Sequence, residues 1–351
     1  MATAVLRRTV GQLFMVGIPG PTLDPKSRAF LREFTPGGVI LFKRNVERGP
    51  QVRALVAELK TIGAGPTPLV AIDHEGGRVH RLPAPFTRFP AMARLGACDA
   101  AVVERVGYAM GRELASIGID LDFAPVLDVV TNPRNTVIGD RAFGATPARV
   151  ARLGLALARG LTRAGIVPCG KHFPGHGAST GDSHHVLPRV SRSRRELDAI
   201  DLAPFRRAIR AGIPALLTAH VVYPALDPRR PATLSPVICQ GLLRRTLGFR
   251  GVVFSDDLDM AAVARRRSPG AVAVAALAAG CDVLLSCQSV DTARASMLAV
   301  EAAVERGTLS ADALAASIAR LNALRRRAVP RCPARLGWPA HARLAARLAA
   351  A

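Results

Sequence analysis

Residues 171–188, KHFPGHGASTGDSHHVLP, gather four of the chain's eight histidines (His172, His176, His184 and His185) into a glycine-containing stretch behind a short apolar run. An imidazole, with an unperturbed pKa of ~6.5, both gives and takes a proton near neutrality. Asp182 stands two residues before His184, where a carboxylate can fix the ring's tautomer and stabilise its charged form. This favours acid–base chemistry. Metal binding fits less well, because the segment has no HExxH and no histidine pair spaced to put two ligands on one helix face. The bland alternative is a set of histidines that only cap and bridge a long loop.

A second segment, GVVFSDDLDM at 251–260, is an apolar strand-like run that ends in carboxylates. Such groups are costly to desolvate without a partner or a purpose. Asp256 emerges first and shares the period-two face of Val252 and Phe254, whereas Asp257 and Asp259 read as caps of the helix that follows. Asp73, Glu75, Arg78 and Arg81 surround a Gly-Gly turn at 71–82, and Asp128, Asp140 and Arg141 lie within 121–144. Each charge alone is an ordinary loop ion pair. Together they outline a pocket dense in hydroxyl-binding groups, suited to a polyol or sugar. Neither a Walker loop nor GxGxxG occurs, so no nucleotide is implied, and the reading calls for no cofactor and no metal.

These groups need elements to position them. Apolar runs of strand length recur at 13–18, 39–42, 69–72, 119–123, 166–170, 215–218, 252–255 and 282–285. Helical patterns lie between them at 50–62, 100–117, 147–164, 194–211, 235–246 and 271–279, which argues for βαβ units and a parallel sheet. Gly118, Gly165, Gly212, Gly248 and Gly280 punctuate helix ends just before strands. Eight strands is the tally of a closed (β/α)₈ barrel, which carries its chemistry at the C-terminal ends of the strands. Asp73, Asp128, Lys171-His172, His220 and Asp256-Asp257 each follow a strand-like run. The expected fold class is therefore α/β, a single TIM-type barrel, with a doubly wound open sheet as the alternative. Two closing helices are expected over 289–328. The barrel domain is placed at 1–330, followed by a peripheral Arg/Ala-rich tail at 331–351.

A hydrophobic share of 49% in 351 residues excludes disorder. The net charge of +22 first suggests nucleic acid or another anionic surface. However, 44 of the 48 basic residues are arginines scattered over helix-like stretches, and only 4% of residues are aromatic. Little could stack on bases, so a coding bias on solvated helix faces is the preferred reading. Cys98, Cys169, Cys239, Cys281, Cys287 and Cys332 form no CxxC pair, which fits a reduced protein. The apolar stretch near the N-terminus is broken by Gly11, Gln12, Gly17 and Pro19, and no apolar run reaches the ~18 residues of a membrane span. The expectation is a cytoplasmic monomer with a carbohydrate partner, engaging neither nucleic acid nor membrane.

The chain resembles the single-domain bacterial β-N-acetylhexosaminidases of glycoside hydrolase family 3. The resemblance rests on GQLFMVGIPG (11–20), DHEGGRVHRL (73–82), DFAPVLDV (122–129), VIGDRAFG (137–144), KHFPGHG (171–177), DSHHVLP (182–188), LTAHVVYPALD (217–227), PATLS (231–235) and FSDDLDM (254–260). It implies a TIM-type barrel, Asp256 as nucleophile, His184 as proton donor and Asp182 as its partner. It also implies sugar binding by Asp73, Arg81, Arg141, Lys171 and His172. His80 stands where the family leads us to expect glutamine, and His185 follows the motif histidine; with His176, these carry no assigned role. The implied substrate is a terminal β-linked N-acetylglucosamine on 1,6-anhydro-N-acetylmuramic acid fragments, cleaved with retention during peptidoglycan recycling. The alternatives within the family are a phosphorylase and a β-glucosidase. Outside it stands a basic nucleic-acid-binding protein on a barrel scaffold.

Overall fold

The structure, a computed structural model, describes residues 2–180, 187–265, 267–329 and 338–350. The strands are β1 (Phe14–Gly17), β2 (Gly38–Leu41), β3 (Leu69–Ile72), β4 (Leu121–Asp122), β5 (Val167–Phe173), β6 (Ala215–Thr218), β7 (Val222–Tyr223), β8 (Asp227–Pro231), β9 (Val252–Asp257) and β10 (Val283–Ser286). Eight of them pair in parallel and close a barrel in the order β1-β10-β9-β6-β5-β4-β3-β2. Every one of the eight apolar runs carries a barrel strand, so the (β/α)₈ expectation holds and the open sheet is excluded. Strands β7 and β8 form a separate antiparallel hairpin that the sequence reading did not anticipate.

Period-two alternation divides each strand between two cores. Met15, Ile40, Ala71, Phe123, Cys169, Leu217, Phe254 and Leu285 fill the barrel interior, where the Phe123 and Phe254 rings meet edge to face at 5.4 Å. Their neighbours Phe14, Val39, Val70, Leu216, Val253 and Leu284 face outward into the layer beneath the helices. Leu321 and Leu324 of the helix Ala311–Arg325 join the inner core. The same helix reaches the chain just ahead of β1 and β2, because Arg325 Nη2 donates to Gln12 Oε1 (2.6 Å) and to the Gly37 carbonyl (3.0 Å). It therefore closes the N-terminal end of the barrel and leaves the C-terminal end open.

Helices follow the expected strand–helix alternation. Gly118 (φ 82°) and Gly165 (φ 86°) take the left-handed conformation just before β4 and β5, as a helix stop requires. The 194–211 pattern is less regular than a single helix. It runs as Arg194–Glu196, a π-helical turn at Leu197–Asp201, and Leu202–Arg210. Pro204, which has no N–H to return to Ile200, explains the interruption. Two helices ahead of β2 were not foreseen, Ala2–Gly11 and Pro25–Phe34. The second has a readable start, for Asp24 accepts from the Ser27 amide at 2.7 Å and proline opens the helix. The tail corrects an expectation. The helix Pro339–Ala350 is not merely peripheral: it packs on Ala100–Ser116 and buries Ala345. Among the described residues, no helix is long and apolar enough to cross a membrane.

Candidate active site

Continuing the inward phase of three strands past the hydrophobic interior brings polar residues to the open mouth. Asp73 lies two positions beyond Ala71, Lys171 two beyond Cys169, and Asp256 two beyond Phe254. All three line a pocket of about 330 Å³, together with Glu75, Arg81, Arg141, His172 and His176. That volume lies within the range of small-molecule sites. The described members of the expected site thus converge: Asp73, Arg81, Arg141, Lys171, His172 and Asp256 share one cavity.

An ion-pair network spans its wall. Lys171 Nζ lies 2.6 Å from Asp73 Oδ1 and 2.5 Å from Glu75 Oε1, and Arg141 binds both Glu75 oxygens at 2.8 Å. Burial alone would raise the Glu75 carboxyl, but Arg141 and Lys171 hold it well below the usual carboxylate range. Burial would likewise lower the Lys171 ammonium, and Asp73 and Glu75 outweigh it to keep the cation firmly charged. Beside this network, His172 donates Nδ1–H to Asp128 Oδ2 at 2.7 Å, while Asp128 Oδ1 accepts the His172 and His176 amides at 3.2 and 2.7 Å. Arg141 Nη2 approaches His172 Nε2 at 3.4 Å. Burial, then the neighbouring His172, pushes His176 down to about 4, so its ring is neutral; its Nδ1 meets Ser179 Oγ at 2.7 Å. The cavity therefore presents fixed, mutually neutralised charges whose remaining donor and acceptor sites suit sugar hydroxyls.

Asp256 sits at the end of β9, with Oδ1 accepting the Asp257 amide at 2.9 Å. Desolvation works to raise its carboxyl, yet His220, His172, that amide and Lys171 leave it below the ordinary aspartate value. It is an ionised carboxylate facing an open cavity. Its neighbour differs: burial, then the charge of Asp259, lifts Asp257 to about 7. His220 is pinned between Thr233 Oγ1 (2.8 Å) and the Asp257 carbonyl (2.9 Å), which fixes the backbone next to Asp256.

Two expectations need correction and others are extended. Asp257 and Asp259 do not cap the following helix, Ala261–Ala264, which has no side-chain cap. Instead Asp257 Oδ1 accepts the Asp259 and Cys287 amides (both 3.1 Å), and Asp259 Oδ2 accepts the Gln288 amide (2.9 Å). They tie the end of β9 to the segment after β10. Glu75 and Asp128 belong to the polar pocket that the sequence outlines, but the sequence assigns no individual role to either of them or to His220, whereas here they hold Arg141, His172 and the backbone beside Asp256. The i, i+2 spacing of Asp73 and Glu75 was the available signal for Glu75. His80 packs its ring 4.5 Å from that of His74. Asp182, His184 and His185 lie outside the described residues. The stems on either side are anchored: the Thr180 amide donates to the Arg189 carbonyl (3.4 Å), and the Val222 amide of β7 donates to the Pro188 carbonyl (2.9 Å).

Known proteins share the sequence and the fold of this chain. Residues 5–324 match the glycosyl hydrolase family 3 N-terminal domain. A β-hexosaminidase of Chromobacterium violaceum is 46% identical over 293 residues, 82% of this chain and 81% of that one. Among solved structures, a family 3 β-N-acetylglucosaminidase from Paenibacillus sp. FPU-7 superposes with a TM-score of 0.93 at 40% identity, covering 98% of this chain and 68% of that one. NagZ from Neisseria gonorrhoeae, solved with N-trifluoroacetyl-D-glucosamine, gives a TM-score of 0.76 at 37% identity and covers 90% and 98%. A TIM-type barrel with an ionised carboxylate in a polar cavity at its C-terminal mouth is here the framework of a glycosidase. The chain belongs to glycoside hydrolase family 3, and it is an enzyme of the β-hexosaminidase group.

Proposed function

We propose that the protein removes terminal β-linked N-acetylglucosamine from peptidoglycan fragments carrying 1,6-anhydro-N-acetylmuramic acid, with retention of configuration, during cell-wall recycling in the cytoplasm. The single observation that carries the catalytic part is Asp256, a carboxylate kept ionised at the end of β9 and facing the cavity. Asp256 attacks the anomeric carbon and forms an ester as the glycosidic C–O bond breaks. His184, oriented by Asp182, gives its proton to the departing oxygen. In the second half, water loses a proton to His184 and displaces Asp256 from the sugar. A histidine in this role attracts the anionic nucleophile when charged, and it donates near neutral pH without a strongly raised carboxyl pKa. Asp73, Arg81, Arg141, Lys171 and His172 hold the sugar. Support for the sugar comes from the N-acetylglucosaminidase relatives and the bound N-trifluoroacetyl-glucosamine of one of them. Support for a reducing compartment comes from the free thiols of Cys98, Cys169, Cys239, Cys281 and Cys287.

The test is turnover of an aryl N-acetyl-β-glucosaminide against the matching glucoside, with a fluorosugar to trap the intermediate. We expect the acetamido substrate to be strongly preferred, Asp256→Ala to abolish turnover, and the label to reside on Asp256. A label on another residue overturns the nucleophile. Release of the sugar 1-phosphate in phosphate buffer, in place of the free sugar, overturns hydrolysis.

A further inference from the structure

The match to family 3 ends at residue 324, and nothing in it assigns a role to the C-terminal helix Pro339–Ala350. That helix is held at both ends. His341 Nδ1 lies 2.8 Å from Glu113 Oε1, and Arg94 Nη2 donates to the Ala349 carbonyl at 2.6 Å. The Glu113 side chain is almost wholly buried, at 1% exposure, so its oxygens rely on hydrogen-bond partners that the fold supplies. Its second oxygen, Oε2, accepts the Thr87 amide at 2.7 Å. Thr87 belongs to the segment 83–91, clamped by buried Phe86 and Phe89. The Phe89 carbonyl in turn accepts the Gly77 amide at 2.9 Å.

Gly77 lies in the tight turn that brings the chain back from Glu75 to Val79, closed by the Glu75 amide on the Val79 carbonyl (2.9 Å). The turn has no slack. A Cβ at Gly76 would stand 2.9 Å from the Pro90 carbonyl oxygen, and one at Gly77 would stand 2.7 Å from the Ala91 Cβ. Two residues beyond Val79, Arg81 enters the cavity. A continuous series of contacts thus runs from the C-terminal helix through Glu113, Thr87 and Phe89 to the turn that aims Arg81.

We propose that His341 and Glu113 are positioning residues for substrate binding, and that the C-terminal helix sets the loop carrying Arg81. This rests on the reading of Arg81 as a sugar-binding residue. Because Asp256 stands on β9, on another side of the barrel mouth, loss of the coupling weakens binding and spares the chemical step.

The experiment is a double-mutant cycle in the full-length enzyme, with an aryl N-acetyl-β-glucosaminide as probe. His341→Ala is expected to raise KM by about tenfold and to leave kcat within about twofold. His341→Gln, which keeps a donor for Glu113, is expected to restore most of the binding. In an Arg81→Ala background, adding His341→Ala should change KM by less than about twofold, since the residue it acts through is gone. Should His341→Ala not fold, Arg94→Ala frees only the far end of the helix and carries the same cycle, with a KM rise of about threefold. Equal KM increases with and without Arg81, or a loss confined to kcat, overturn the inference alone. An Arg81→Ala enzyme with unchanged KM overturns both the inference and the assignment of Arg81.

Discussion

Asp256 and Asp257 are adjacent carboxylates with opposite behaviour, and position explains the difference. Asp256 is held below the ordinary aspartate value because His220, His172 and Lys171 outweigh its desolvation, whereas Asp257, buried beside Asp259, is raised to about 7. A carboxyl raised on folding stabilises the fold in its protonated form; that contribution is full below about pH 4 and is lost as pH climbs through 7. Asp257→Asn keeps an oxygen for the Cys287 and Asp259 amides and cannot ionise. It is expected to raise Tm by a few degrees at pH 8 and to leave it unchanged near pH 4; equal shifts at both values would refute the raised carboxyl. His184 is tested by leaving group. If it supplies the proton to the departing oxygen, His184→Gly should depress kcat/KM for alkyl glycosides by about 10²–10⁴-fold and far less for nitrophenyl glycosides, whose oxygen leaves without help. Equal losses on both substrates would remove it from the acid role.

Elements bring these residues together, and close helix packing holds the elements. The helices Ala100–Ser116 and Pro147–Arg163 cross where Gly160 faces Gly107, and a Cβ at Gly160 would stand 2.2 Å from the Glu104 carbonyl oxygen. Alanine is the better helix former by ~1 kcal/mol, but the obstacle is backbone, which cannot swing aside. Gly160→Ala is therefore expected to cost about 1–3 kcal/mol net in denaturant unfolding. A variant as stable as the parent would show that the helices are not so closely packed. The eight strands were legible because alternation and β-branched runs are local signals, and the same alternation projected Asp73, Lys171 and Asp256 into the mouth. Where partners come from distant segments, the sequence was silent. Nothing near Glu75 announces that Arg141 and Lys171 will share it. Asp257 and Asp259 read locally as helix caps, yet their partners lie after β10. The helix Pro339–Ala350 was passed over for a similar reason: its Ala/Arg composition looks solvated, and its anchoring depends on Glu113, more than two hundred residues earlier.

At the scale of the whole molecule, the surplus of 22 positive charges is distributed unlike the site. The cavity is lined by Arg44, Arg81, Arg141 and Lys171 against Asp73, Glu75, Asp256 and Asp257, a near balance with little net attraction of its own. The excess stands on outer helix faces, as along Pro147–Arg163, where exposed Arg149, Arg152, Arg159 and Arg163 fall on one side and a single carboxylate, Glu104, pairs with the last two among the described residues. Charges so placed act over a Debye length of about 8 Å at physiological salt and about 30 Å at 0.01 M, so they steer an incoming anion and contribute little to a molecule already bound. A neutral aryl N-acetyl-glucosaminide should show kcat/KM independent of ionic strength. A muropeptide bearing an acidic peptide should lose about three- to tenfold in kcat/KM between ~0.01 M and ~0.3 M salt, through slower association and with kcat unchanged. Salt titration of both substrates in parallel separates the effects. A flat response for the acidic substrate would reduce the arginine surplus to composition, whereas a fall shared by both would place the salt sensitivity in the cavity's own ion pairs, Lys171 with Asp73 and Arg141 with Glu75.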